Sequence, residues 1–239
     1  MKYNLVYKQF GEYSILIEWP QRIDTCILYD ILGFKLHIAQ SEQFALNYIN
    51  HAYAALFLSF ELKNFNFLTI VSQLKNMYQQ SQKLPQTNCS TWNIPVCYDK
   101  SFGIDLDSIA KQKQMTPETL VKLHTAPVYT VFFIGFLPGF LYLGGLHTSL
   151  STPRKATPRS KVLQGAVAIG GSQTGIYPTE CPGGWQIIGN TPIRFFDRVK
   201  PSPCFAKAGD VLKFYGVSLE EHRAIAAAVI TGNYIIQQG

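Results

Sequence analysis

Charge is scarce in this sequence. Asp, Glu, Lys and Arg make up 15% of its 239 residues, against roughly 25% in an average soluble domain. The hydrophobic share is an ordinary 47%, so the chain is expected to fold rather than remain disordered. A surface this short of charge suggests that a partner covers part of it. Cysteine is also sparse. Cys26, Cys89, Cys97, Cys181 and Cys204 are odd in number and form no Cys-x-x-Cys pair, which argues against a zinc site and a disulfide scaffold. No apolar run approaches the roughly 18 residues of a membrane span. The longest candidates, residues 131–136 and 224–230, are core-sized. The N-terminus has a lysine but no apolar segment before Glu12, unlike a secretory signal. A cytoplasmic protein with reduced thiols is the expectation.

A more local absence carries the first functional hint. No Asp or Glu occurs between Glu118 and Glu180. At the chain's average of 15 acids in 239 residues, those 61 positions would hold about four. The same stretch carries Lys122, Arg154, Lys155, Arg159 and Lys161, close to the whole net charge of +6. These cations sit among glycines and prolines, not along a lysine-rich helix. That pattern suits a compact anion pocket better than a nucleic-acid stripe, although a basic loop facing water would look the same.

Hydrophobic periodicity outlines two domains. Residues 4–9 and 13–19 read as strands around Phe10-Gly11-Glu12. Ile23, Ile27, Leu28, Ile31 and Leu32 predict a helix stopped by Gly33. Residues 52–60 predict a strand, and Phe67, Ile70, Val71, Leu74 and Tyr78 a second helix. This is a small α+β layer, here assigned to residues 1–88. The polar stretch 81–90 marks the boundary. Beyond it, residues 93–98, 128–134 and 211–215 predict strands, and 106–113 and 116–123 predict helices, the second capped by Thr116-Pro117. Ser218-Leu219-Glu220-Glu221 is a capping box ahead of a last helix. Glycine and proline punctuate residues 135–203, so residues 89–239 read as a β-barrel.

Several motifs could carry chemistry. Gly170-Gly171-Ser172-Gln173-Thr174-Gly175 follows a strand. Ile176-Tyr177 replace the Lys-Ser/Thr of a Walker loop, and Thr174 replaces the last glycine of a nucleophile elbow. Its amides could still cradle an oxyanion, or the segment could be a tight turn. Pro182-Gly183-Gly184-Trp185 could floor a small-molecule pocket, or cap a barrel end. Gly135-Phe136-Leu137-Pro138-Gly139-Phe140 suggests a stiff apolar wall. Pro153-Arg154 and Pro158-Arg159 present two arginines on fixed backbone, suited to carboxylate or phosphate. His124 adjoins the acid-free stretch and is the acid–base candidate. His37, His51, His147 and His222 show no ligand spacing, and no metal site is expected.

These motifs, in this order, together with Gly189-Asn190-Thr191-Pro192, resemble the family of 5-oxoprolinase B subunits, also called the KipI or allophanate hydrolase subunit 1 family. The resemblance is dense over residues 94–215. It implies an α+β architecture: a small ferredoxin-like N-terminal sandwich and a cyclophilin-like C-terminal barrel. It further implies an ATP-dependent opening of the lactam 5-oxoproline to glutamate. ATP and Mg2+ would be shared with two companions, the C and A subunits of the 5-oxoprolinase. No nucleic acid or membrane is implied. The chain alone would be inactive. The family pattern carries over to His124, Arg154 and Arg159 as catalytic candidates. Phe136, Pro138, Gly139, Gly171, Gln173, Thr174, Gly175, Tyr177, Gly183, Gly184, Trp185 and Thr191 are the binding candidates. Departures are His147, Glu61-Leu62 and Cys181. Relatives in the same family imply two alternatives, an inhibitor of a sensor histidine kinase and a subunit for carboxyl transfer.

Overall fold

The computed structural model describes residues 2–61, 65–82 and 89–239. Leu62 and residues 83–88 of the polar boundary stretch lie outside the described residues. The chain divides into two compact units, Met1–Asn88 and Cys89–Gly239.

In the first unit the order is β1 (Val6–Gln9), β2 (Ser14–Glu18), α1 (Thr25–Gln40), β3 (Leu46–His51), β4 (Ala55–Phe60) and α2 (Phe67–Gln80). The four strands pair antiparallel in the order β1-β2-β4-β3. This is the ferredoxin-like order with β1 in the place of the usual last strand. The start of the chain therefore meets the end of α2: the Lys2 ammonium donates to the Ser81 carbonyl at 2.5 Å and the Tyr3 N–H to the Tyr78 hydroxyl at 3.1 Å. Alternation in β2 and β4 turns Ile15, Ile17, Leu56 and Leu58 inward against Ile27, Ile31, Phe34 and Leu74, as a half-buried sheet requires.

Two local expectations are corrected. Gly33 does not stop α1, which continues to Gln40. Gly33 is buried, and Phe34 and Ile38 extend the apolar stripe beyond it, so packing outweighs the roughly 1 kcal/mol helix penalty of glycine. The second correction is β3, which hydrophobic periodicity does not predict. Apolar and polar residues do not alternate along Leu46–His51, and its two exposed residues, Asn47 and Tyr48, are adjacent.

The second unit contains β5 (Thr91–Val96), α3 (Leu106–Gln112), α4 (Pro117–Thr125), β6 (Tyr129–Ile134), β7 (Leu141–Gly144), β8 (Arg159–Val162), β9 (Ala166–Gly170), β10 (Gln173–Ile176), β11 (Cys181–Gly183), β12 (Gln186–Asn190), β13 (Val211–Gly216) and α5 (Leu219–Ile230). Seven strands run in the order β12-β9-β10-β7-β6-β13-β5. Reciprocal bonds between Cys97 and Asn190, 2.8 and 2.9 Å, bring the two ends together. The result is a nearly closed barrel, whose interior holds Ile94, Val131, Leu141, Ile169 and Leu212. Outside it, β8 and β11 form a two-stranded ribbon. A second apolar cluster, Phe140, Ala168, Tyr177, Trp185 and Ile187, packs there.

Candidate functional site

The outer cluster forms the floor of a cavity of about 370 Å³, within the usual 300–1,000 Å³ of small-molecule sites. Phe136, Phe140, Tyr142, Tyr177 and Trp185 supply its aromatic walls, and Arg154, Lys155, Pro158, Pro182, Gly183 and Gly184 complete it. Glycines make the floor possible. A Cβ on Gly170 would run into the Trp185 indole, and one on Gly175 would come within 3.0 Å of it. A Cβ on Gly183 would strike the Tyr177 ring and hydroxyl. Trp185 is 5% exposed and meets Phe140 edge-on at 5.5 Å. Tyr142 stacks on Phe133 at 4.2 Å.

The rim is strained. Phe136 has φ +61° and is 65% exposed, although bulky side chains avoid this region. The Leu137 N–H donates to the Gly135 carbonyl at 2.7 Å, closing a γ-turn around Phe136 of the uncommon positive-φ kind. The turn holds an aromatic ring at the cavity mouth.

Arg154 is the cation at this mouth. Its guanidinium lies 5.4 Å from the centre of the Trp185 ring, a cation–π distance. Among the described residues no carboxylate lies within ion-pair distance of it, whereas Lys155 and Arg159 both reach Asp105. Burial pushes the Tyr142 hydroxyl pKa up, partly opposed by Arg154. Burial likewise raises that of Tyr177, opposed by a hydrogen bond from the Trp185 backbone N–H and by Arg154.

The structure thus brings together Phe136, Arg154, Tyr177, Gly183, Gly184 and Trp185 of the expected residues. Gly175 lies beneath the floor. Gly139 has φ +83° and is buried below the loop, while Pro138 is exposed on it. Arg159 does not line the cavity; its Nη2 is held by Asp105 at 2.6 Å. Thr191 is buried elsewhere, accepting from the Ile193 N–H at 3.3 Å.

Two chemical expectations are corrected. The glycine-rich segment is a two-residue hairpin between β9 and β10, the tight-turn alternative, and does not line the cavity. Gly171, at φ +64°, takes the first central position, as a type II′ turn demands. Its N–H donates to the Thr152 carbonyl at 2.7 Å, and β10 pairs with β9 from Gln173 onward and with β7 from Thr174 onward. His124 is 0% exposed inside the barrel. Thr174 Oγ1 donates to the Ala168 carbonyl at 3.0 Å, so it accepts from His124 Nε2 at 2.9 Å. His124 Nδ1 then accepts from the Tyr98 hydroxyl at 2.8 Å. Burial lowers its pKa to about 3. It is a neutral internal linchpin, stacked on Phe214, and not a proton carrier to a ligand in the cavity. Its polar neighbours Tyr98 and Thr174 are far away in sequence, which hides this role from a sequence reading.

Phe140, Lys155, Pro158 and Pro182 lie in motifs legible in the sequence without being binding candidates themselves, and Tyr142 in β7 is the cavity residue that sequence reasoning misses.

The family model for the carboxyltransferase domain, subdomain C and D, matches residues 5–206. A 5-oxoprolinase B subunit from Haemophilus influenzae is 44% identical over 155 residues, covering 65% of this chain and 72% of that one. The chain belongs to the family of 5-oxoprolinase B subunits. Its Bacillus subtilis relative of the same name is also 44% identical, over 131 residues that span 55% of each chain. The solved Kluyveromyces lactis urea amidolyase covers 98% of this chain and 16% of its own, with a TM-score of 0.84 at 19% identity. That last likeness is one of fold. In this member of the 5-oxoprolinase B-subunit family, the carboxyltransferase match includes every cavity residue and stops short of β13 and α5.

Proposed function

We propose that this chain is a subunit of an ATP-dependent 5-oxoprolinase that opens 5-oxoproline to glutamate together with the companion C and A subunits. The names of its relatives support a hydrolase assembled from several subunits. The observation that carries the site is the aromatic cavity with one guanidinium free of any acidic partner among the described residues. A small flat ring fits between Phe136, Tyr177 and Trp185. Arg154 holds its carboxylate, a charge-assisted bond. The aromatic walls keep water from the ring.

ATP and Mg2+ fit this cavity poorly. Its lining holds no carboxylate to ligate magnesium. On this reading the nucleotide and its metal are held at least in part by the companion subunits, and the role of this chain is to bind and orient the lactam. It works in the cytoplasm and is inactive alone. Among the described residues no helix is long and apolar enough to cross a membrane.

The test is conversion of 5-oxoproline to glutamate with ATP in extracts with and without this chain. Loss of conversion that returns on adding the purified chain supports the reading. Unchanged conversion, with neither companion captured alongside the chain, overturns it.

A further inference from the structure

Asp105 lies outside the acid-free stretch, 54 residues from Arg159 in sequence. Its side chain is 5% exposed and fully engaged. Oδ1 accepts Arg159 Nη2 at 2.6 Å and Lys155 Nζ at 3.1 Å. Oδ2 accepts the Ile187 N–H at 2.7 Å, and the Asp105 N–H donates to the Ile187 carbonyl at 2.9 Å. The carboxylate is therefore a fixed point on β12, two residues beyond the cavity-floor Trp185.

Arg154 forms no ion pair among the described residues. Its place over Trp185 is set by its neighbours. The Lys155 N–H donates to the Gly184 carbonyl at 2.7 Å, and the Gln186 side chain to the Pro153 carbonyl at 3.1 Å. Three cations fall within residues 154–159, and Asp105 is the one acid within ion-pair distance of any of them among the described residues. Without it, Lys155 and Arg159 would repel each other and Arg154 in a partly buried setting, where charges are weakly screened.

We propose that Asp105 is the positioning residue of the cavity's basic wall: by tying Lys155 and Arg159 to one buried carboxylate, it holds residues 153–158 so that Arg154 stays over Trp185. Only the kinetic arm of the following test rests on the lactam reading.

The chain has three tryptophans, so an amide-correlation NMR spectrum shows three indole N–H resonances. Those of Trp19 and Trp92 are bonded to Asp30 and Asp210 and serve as internal controls. Asp105→Asn and Lys155→Met should both move the Trp185 resonance towards its position in Arg154→Ala, leaving the other two in place. Lys155→Met spares the bonds from Asp105 to Ile187, so it decides alone if Asp105→Asn fails to fold. A Trp185 resonance unmoved in the folded variants overturns the proposal.

In the reconstituted complex, Asp105→Asn should raise the KM for 5-oxoproline roughly tenfold, with kcat changed by less than about twofold. Adding it to Arg154→Ala should cost nothing more. Fully multiplicative losses would show that Asp105 acts independently of Arg154 and overturn the proposal. A complex with no 5-oxoprolinase activity removes the lactam reading and leaves the resonance arm to decide.

Discussion

Arg154 and His124 are both basic, yet their surroundings give them opposite behaviour. Arg154 stands at a cavity mouth against an indole face, so its planar fork can stack and bind an anion at once. Replacement by lysine keeps the charge and loses the planar stacking. Arg154→Lys should therefore recover only part of the substrate affinity lost in Arg154→Ala, read as KM in the reconstituted complex; full recovery would show that charge alone matters. His124 is sealed in the barrel with a pKa near 3, below the roughly 6.5 of an unfolded chain. Below pH 6.5 the unfolded state takes up a proton that the folded state refuses until about pH 3. The stabilisation from neutral burial is thus complete above pH 6.5 and is lost as pH falls through that window. Between pH 7 and pH 5 the loss should approach 2 kcal/mol. His222, whose pKa burial also lowers, adds in the same direction. Urea midpoints at the two pH values check this, and the slope should flatten in His124→Asn, which will also be less stable at pH 7.

A cap, a helix interior and a hairpin show how far single elements follow from local sequence. The Ser218–Glu221 capping box forms as the sequence predicts, with the Glu221 N–H donating to Ser218 Oγ at 3.1 Å. Ser218→Ala should cost about 1 kcal/mol, measured by urea unfolding. Elements whose signal lies within a few residues, such as this cap, the Thr116-Pro117 start of α4 and the alternation of β2, are legible. Elements fixed by distant partners are not. Gly33 stays helical because Phe34 and Ile38 have a sheet to pack on. The glycine-rich hairpin resembles an anion site in sequence because the partner of the Gly171 N–H, Thr152, lies on the far side of β8 and β9. That hairpin offers a clean discrimination. A Cβ on Gly171 meets nothing within 4 Å, so Gly171→Ala pays only the backbone strain of a side chain at the first central position of a type II′ turn, about 1–3 kcal/mol. Stability should fall by that amount while KM for 5-oxoproline stays unchanged; a large rise in KM would restore the anion-cradle role.

At the scale of the whole molecule, the aromatic half of the site is legible because it sits in one run of sequence, residues 135–185, and the electrostatic half is not, because its acid comes from the start of α3. All of these residues belong to the second unit, Cys89–Gly239. That unit has its own barrel core and a second cluster beneath the cavity. At about 150 residues a domain buries roughly 68–70% of its unfolded surface, enough to fold alone. It also contains Asp105, the strap that carries Arg154 and the whole cavity lining. A fragment of residues 89–239 should therefore unfold cooperatively and keep the indole resonances of Trp92 and Trp185 where they lie in the full chain. The Trp19 resonance, which belongs to the first unit and its buried Asp30 bond, should be the one lost. Non-cooperative unfolding of the fragment, or a displaced Trp185 resonance in a folded one, would mean that the cavity depends on the first unit for its shape.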